Sequence, residues 1–453
     1  MDALHGKHVL VIGFARQGQA LARWLPTIGA SVTVTDGKTA EQLGINPTDY
    51  PSVTWALGES ADTLLDTVDV LCVSGGVALS HPLIQAAYDR DMPITNDAQI
   101  FVERCPAPVY GVTGSAGKTT TTTLIGQMIE NAGYKTWVGG NIGNVLLDAL
   151  PNIQPADKVV IELSSFQLEL FQTSPQNALV LNITPNHLDR HGTMEAYTAA
   201  KANILLHQSS QDRAVLGYDD SGSYGLREQV RGDLAWFSAD SMVSDGAFLM
   251  GERLMLVGSA NPTGGANVIL ERGEIPLRGE HNVRNVLAAC ALVGNIVPLD
   301  VMTETIRQFK GVEHRLEVVR VLDGVTYVND SIATAPERVM AALKSYSEPL
   351  ILLLGGADKK LPWDEMLALA LKKSRHIVAF GGSAAEIVQR TLTDLNALDR
   401  MTRVTTLEEA VAVAHQRAQA GDVVLLSPGG TSYDAYADFA ARGAHFRERV
   451  NGL

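Results

Sequence analysis

An α/β fold in three domains is predicted by two features of this 453-residue chain. Short β-rich runs alternate with longer helix-like stretches almost throughout, as βαβ units on parallel sheets require. The β runs also deliver their C-terminal ends to glycine-rich loops, where open α/β sheets place ligands.

In chain order, "KHVLVIGFARQGQALARWLPTIGASVTVTD" reads as strand, glycine turn, helix and strand, and "DVLCVSGG" adds another strand. Residues 1–104 are therefore expected to form a Rossmann-like N-terminal domain. After "FVERCPAPVYG" a second strand–loop–helix unit begins, so residues 105–311 are read as a central, P-loop ATPase-like domain. Within it, "LAWFS", "AFLMGERLMLVG" and "ANVILERGEIPL" predict a small antiparallel β insertion between about Ser210 and Gly279. "GEHNVRNVLAACALVGNIV" follows as a helix with an apolar face. Residues 312–453 read as a Rossmann-like C-terminal domain, because "PLILLLGG", "HIVAFGG" and "DVVLLSPGG" are strands that end in glycines.

Composition narrows the function classes. Hydrophobic residues make up 46 % and charged residues 19 %, an ordinary globular balance. The apolar runs are strand-length, well short of the ~20 residues of a membrane span. No signal-peptide pattern opens the sequence, and Cys72, Cys105 and Cys290 form no CxxC pair. A cytoplasmic protein with reduced thiols is expected, with no membrane partner. A net charge of −14 argues against a nucleic-acid surface, yet leaves room for small anions held by local cations and amides.

"YGVTGSAGKTTTT", from Tyr110 to Thr122, carries the sharpest chemistry. Its glycines allow close backbone approach, Lys118 can reach β/γ-phosphates, and Thr119 can offer a hydroxyl to Mg²⁺. The helix that follows turns its first amides toward an anion. Gly114, Ser115, Ala116, Gly117, Lys118, Thr119 and Thr120 are thus the phosphate-binding candidates. Glu162 ends an apolar strand in "VVIELSSFQLE" and is a candidate Mg²⁺ ligand, since hard cations prefer oxygen. "LNITPNHLDRHGTMEAYTAAKANIL" adds Asn186, His187, Asp189, Arg190, His191 and Lys201. In "GFARQG", Ala15 stands where GxGxxG has glycine, while Asp36 ends the next strand as a ribose-binding acid would. A plain helix–strand turn and a nucleotide or nucleotide-sugar site both remain open there. The C-terminal polar islands bring Arg315, Asp330, Thr334, Lys359 and Ser432 to one sheet edge, a seat for an anionic ligand.

These islands, in this order and over nearly the full length, resemble the Mur ligase family of ATP-dependent amide-forming enzymes. "GVTGSAGKTTTT", "GGNIG", "ELSSFQLE", "NHLDRHG", "AKANIL", "GEHNVRN", "EHRLE" and "NDSIAT" carry the family likeness. "SGGVALSHP" and "SPGGTSYDAYADFAARGAHF" resemble the branch that adds D-glutamate to UDP-N-acetylmuramoyl-L-alanine in peptidoglycan precursor synthesis. The resemblance implies ATP and two Mg²⁺ sites, one on Thr119 and Glu162, the other on His187 and a carbamylated (N6-carboxylated) Lys201. It implies Asn282 and Asn285 on the adenine side, and Arg315 and Asp330 at phosphate and ribose. Phe14, Ala15, Asp36, Gly75 and Gly76 would receive the UDP moiety, His187 the muramoyl-alanine end, and Asn141 that end or the transferring phosphate. Thr334, Lys359, Ser432 and Phe439 would bind the amino acid, on a monomeric chain.

Two departures from the family pattern stand out. Ala116 replaces the usual asparagine of the P-loop, and Ile332 replaces the lysine of "NDSKAT". The alternatives are another Mur-type ligase using a different amino acid, L-glutamate included, or a P-loop ATPase or binding module that forms no bond. A folylpolyglutamate synthase-like enzyme leaves the N-terminal domain unexplained, and a dehydrogenase leaves everything after residue 105 unexplained.

Overall fold

In the computed structural model the chain divides into two compact units, Met1–Pro276 with Glu280–Phe309, and Leu277–Gly279 with Lys310–Leu453. The structure describes residues 2–58, 62–143, 145–261 and 263–453; the side chain of Asp189 lies outside the described set.

The first unit holds two sheets. Strands β1 (His8–Ile12), β2 (Ser31–Asp36), β3 (Val53–Leu57), β4 (Val70–Val73) and β5 (Ile94–Thr95) form a five-stranded parallel sheet. Its order β3-β2-β1-β4-β5 reverses between β1 and β4, the crevice where such sheets bind nucleotides. Valines, leucine and isoleucine fill β1 without a break because helices cover both faces, leaving no polar side to alternate toward.

The central sheet has nine strands in the order β14-β13-β12-β11-β10-β9-β6-β8-β7. They are β6 (Val109–Thr113), β7 (Thr136–Gly140), β8 (Lys158–Glu162), β9 (Asn177–Val180), β10 (Arg213–Gly217), β11 (Asp233–Ser238), β12 (Gly246–Met250), β13 (Arg253–Val257) and β14 (Ala266–Glu271). "LAWFS", expected in the antiparallel insertion, instead pairs parallel to β10 as β11. Among the described strands of this sheet the antiparallel pairs are β12–β13 and β13–β14, a meander that joins β11 through the parallel β12 and extends the central sheet. The connection through Ser221–Gln229, two short helical turns, gives β11 the crossover a parallel neighbour needs.

One apolar cluster runs through both parts of this unit. Val9, Leu21, Val34 and Phe101 from the N-terminal part join Val109, Ile161, Val180 and Ile204 from the central part. Hydrogen bonds stitch the seam: Asn96 Nδ2 donates to Gln167 O at 2.8 Å, Gln172 N to Gln99 Oε1 at 2.9 Å, and Arg16 Nη1 to Gly143 O at 2.6 Å. Beside Asn96, Asp97 is buried, and burial pushes its carboxyl up to about 7.

The second unit is a six-stranded sheet, order β15-β16-β20-β17-β18-β19. It comprises β15 (Glu317–Leu322), β16 (Val325–Asn329), β17 (Leu350–Gly355), β18 (Ser374–Phe380), β19 (Met401–Val404) and β20 (Val423–Gly429). β15 and β16 form a hairpin whose Asp323-Gly324 turn has positive φ at both residues, as a two-residue type I′ turn demands. The other pairings are parallel, with an apolar cluster on each face. No described helix is long and apolar enough to cross a membrane.

Candidate active site

β6 is buried along its whole length, and beyond it the chain turns through Gly114, Ser115, Ala116 and Gly117 into the helix Lys118–Asn131. Gly117 sits at φ +85°, and a Cβ there would lie 2.3 Å from Asn285 Oδ1, so only glycine fits. Because this helix has a glycine N-cap with no side-chain hydrogen bond, the amides of its first turn face outward for an anion. Lys118 Nζ is held over the loop by the carbonyls of Gly114 (2.8 Å) and Ser115 (3.3 Å). Thr120, Thr121 and Thr122 turn inward and are buried, leaving Thr119 as the half-buried hydroxyl of the run at the loop.

The strand order brings three motifs together. β8 lies between β6 and β7, so Glu162 pairs with Val112 on one side and Gly140 on the other. Glu162 is 2 % exposed. Its Oε2 accepts from the Thr119 hydroxyl at 2.9 Å and its Oε1 from Asn141 Nδ2 at 3.0 Å. A carboxylate and a hydroxyl beside a phosphate cradle fit Mg²⁺, which takes one or two carboxylates and leaves its other positions to phosphates and water. Among the described residues no group of three or more His, Cys, Asp or Glu could hold a metal by itself.

On the other side, β9 leads into Asn182, whose side chain faces the loop residue Ala116. Asn182 Oδ1 accepts from Ala116 N–H at 2.9 Å, and its Nδ2 donates to Ala116 O at 3.1 Å. Sequence reading passed over Asn182; the signal was its position just past the apolar run "ALVL" in the strand beside the P-loop strand. Ser115 is braced as well, its Oγ donating to Thr184 O at 2.9 Å and lying 3.0 Å from the Tyr197 hydroxyl.

Lys201 rises from the helix Met194–Leu206 and is 1 % exposed. Its Nζ donates to Gly114 O at 2.9 Å and Thr113 Oγ1 at 3.3 Å. Burial first, then the neighbouring Lys118 cation, hold its pKa well below the usual lysine range, with Glu162 opposing. His187 is exposed, adopts a left-handed φ of 54°, and meets the Phe166 ring edge-on at 5.1 Å. Arg190 lies over Phe166 at 4.4 Å, and His191 bonds Glu169 at 2.8 Å and Ser165 at 2.9 Å. Asn186 is exposed. Asn282 and Asn285 share a 3.1 Å hydrogen bond, with Asn285 against Gly117.

In the N-terminal sheet, Ile12, Gly13, Asp36, Gly76, Val77 and His81 line a cavity of about 310 Å³ at the β1/β4 crevice. The Asp36 carboxylate accepts from Phe14 N–H at 2.8 Å and Lys38 N–H at 3.0 Å, so it shapes the turn as well as facing the cavity. Phe14 packs its ring against Tyr50 and Trp55, which leaves its backbone as the part that can meet a ligand. Ala15 is the N-cap of the helix Arg16–Thr27, and Gly75 lies close to the side chains of Gln17 and Gln167.

In the second unit the loops after β16, β17 and β20 carry the expected groups. Lys359 Nζ donates to Thr334 Oγ1 at 3.1 Å, and burial and Arg338 lower the lysine's pKa. Ser432 is buried, while Phe439 opens the helix Phe439–Asn451 and is partly exposed. Asp330 is buried, accepts from Ser427 Oγ at 2.8 Å and Leu316 N at 3.2 Å, and is pushed up to about 7 by burial. Arg315, whose chain neighbour Leu316 donates to Asp330, helps to oppose that rise. Ile332 is half-buried and contributes no charge.

Three family models match the chain: "Mur ligase MurD-like, N-terminal domain" over residues 7–96, "Mur ligase middle domain" over 112–293, and "Mur ligase, glutamate ligase domain" over 314–430. A protein of Acetivibrio thermocellus named UDP-N-acetylmuramoylalanine–D-glutamate ligase is 39 % identical, over 99 % of this chain and 97 % of its own. One of that name from Clostridium botulinum is 37 % identical over 100 % and 98 %. Among solved structures, UDP-N-acetylmuramate–alanine ligase from Thermotoga maritima matches with a TM-score of 0.59 at 19 % identity, covering 98 % of this chain and 99 % of that one. At that identity the likeness concerns the fold.

Proposed function

Since the chain belongs to the Mur ligase family, we propose that its own residues divide the work of one ATP-dependent amide ligation as follows. The reaction adds D-glutamate to UDP-N-acetylmuramoyl-L-alanine in peptidoglycan synthesis. A carboxylate is a poor electrophile, so the γ-phosphoryl group of ATP passes to the alanine carboxylate, giving an acyl phosphate and ADP. The D-glutamate amine attacks that carbonyl, and phosphate leaves as the amide forms.

The amides from Gly114 to Thr119 hold the β/γ-phosphates, and Lys118 offsets charge on the group in transfer. Thr119 and Glu162 would hold one Mg²⁺, and His187 with Lys201 a second; bound there, the ions screen phosphate charge. Asn141, fixed against Glu162, orients the acceptor carboxylate. Asn282 and Asn285 serve the adenine side, and Arg315 and Asp330 the phosphate and ribose. The cavity at Gly13, Asp36 and Gly76 takes the UDP end, aided by the Phe14 and Ala15 backbone and Gly75. Thr334, Lys359, Ser432 and Phe439 take the amino acid.

Lys201 fits its proposed modification. Its depressed pKa favours the neutral amine, whose nitrogen can attack CO₂ to give a carbamate and one released proton. The product would replace a buried amine with an anion near the Lys118 cation.

The observation that carries this reading is the Thr119–Glu162–Asn141 contact at the P-loop mouth. The experiment is phosphate release from Mg·ATP with UDP-N-acetylmuramoyl-L-alanine across D- and L-amino acids. Release confined to D-glutamate, with a product heavier by one glutamyl residue, is expected. Release independent of any amino acid would leave only an ATPase.

A further inference from the structure

Arg442 is buried to 1 % exposure in the second unit, on the helix that begins at Phe439. Its guanidinium reaches two loops at once. Nε donates to Ser331 Oγ at 3.0 Å, Nη2 to Ser331 O at 2.9 Å, and Nη1 to Gly430 O at 3.2 Å. Ser331 Oγ in turn donates to Phe439 O at 2.7 Å. A third loop closes on the same group: a Cβ on Gly356 would stand 3.0 Å from Nη1, and Ala357 bridges to Thr431.

These contacts have a common direction. Ser331 lies three residues before Thr334, Gly430 two before Ser432, and Gly356 three before Lys359. Phe439 is itself one of the four amino-acid-site candidates. One planar fork therefore meets the three loops that carry Thr334, Lys359 and Ser432, and through Ser331 the helix start at Phe439. Every hydrogen-bond acceptor the guanidinium has among the described residues is neutral, and Asp434 acts on it only at longer range. A buried cation without a paired carboxylate is costly, and its field reaches further in a low-dielectric interior than at the surface.

We propose that Arg442 is the positioning residue of the amino-acid site, holding Thr334, Lys359, Ser432 and Phe439 in register and biasing the pocket toward a dicarboxylate. The proposal rests on the reading of those four residues as the amino-acid site. Lysine could keep the charge but not the fork, because its single nitrogen cannot span Ser331 and Gly430 in one plane.

The test uses the full-length chain with saturating ATP and UDP-N-acetylmuramoyl-L-alanine and a D-glutamate titration, for wild type, Arg442→Lys and Arg442→Met. Wild type that shows no D-glutamate dependence would overturn the underlying reading, whatever the variants do. With that dependence in place, the KM for D-glutamate should rise about tenfold in Arg442→Lys and further in Arg442→Met. The KM for ATP should stay within about twofold, as expected for a uniform binding loss confined to one substrate. A lowered Tm with an unchanged KM for D-glutamate, or an equal rise in every KM, would mean the arginine is structural and overturn the proposal. Should Arg442→Met not fold, Ser331→Ala replaces it, removing the hydroxyl between Arg442 and Phe439. It must show the same selective rise in KM, and no rise counts against the proposal.

Discussion

Asn182 and Ala116 hold each other by two opposed hydrogen bonds, N–H to Oδ1 at 2.9 Å and Nδ2 to C=O at 3.1 Å. The carboxamide thereby imitates a neighbouring strand and stiffens the P-loop at the residue where the family usually has asparagine. Asn182→Ala leaves the Ala116 amide and carbonyl to water and lets the loop wander. The KM for ATP should rise about tenfold, with a smaller rise for D-glutamate. ATP and D-glutamate saturation curves check it, and an unchanged KM for ATP would rule out this role.

Glu162→Gln keeps the side chain's shape and a partner for Thr119 but removes the charge. Activity should fall by about two orders of magnitude or more, and the Mg²⁺ needed for half-maximal rate should increase. A Mg²⁺ titration of phosphate release measures both, and EDTA should abolish turnover of wild type.

The carbamylation proposed for Lys201 predicts a bicarbonate requirement. Enzyme stripped of CO₂ should lose activity and regain it with bicarbonate, faster as pH rises, because the neutral amine is the reacting form. The rise should level off below pH 10.5, the ordinary lysine value, since burial lowers the pKa of Lys201. A carbamate resonance from ¹³C-bicarbonate, present in wild type and missing from Lys201→Ala, is the structural readout.

Asp97 makes stability depend on pH. Its folded pKa, near 7, exceeds the ordinary 3.8, so between those values the folded state holds a proton that the unfolded state has lost. Raising pH across that window destabilises the first unit, by at most about 4 kcal/mol. Asp97→Asn should flatten the loss, raising Tm more at pH 8 than at pH 5. Equal shifts at both pH values would exclude the titration.

The glycine turn from β6 into the helix at Lys118 and the strand that ends at Glu162 were legible in the sequence, because glycine marks crowded backbone and an apolar run ending at a polar residue marks a strand edge, whereas the role expected of Lys201 came from the family resemblance. The parallel sheets were legible for the same local reason, in apolar runs ending at glycine. What escaped was non-local. Asn182 is one asparagine among several until β9 sets it beside β6, and Arg442 is an ordinary helix residue until three loops fold onto it. The strand "LAWFS" shows the same limit, since a five-residue apolar run has no direction until its neighbour is known.

The apolar cluster that joins Val9 and Phe101 to Val109 and Ile204 also bears on how such an enzyme could have been assembled. Recombination at the first domain boundary would leave two open halves of one interior, neither able to close without the other. The second unit carries two clusters of its own, around Leu352 and around Leu353. It could therefore be exchanged whole, and with the amino-acid site proposed for it, the choice of amino acid would be the trait most open to replacement by gene fusion.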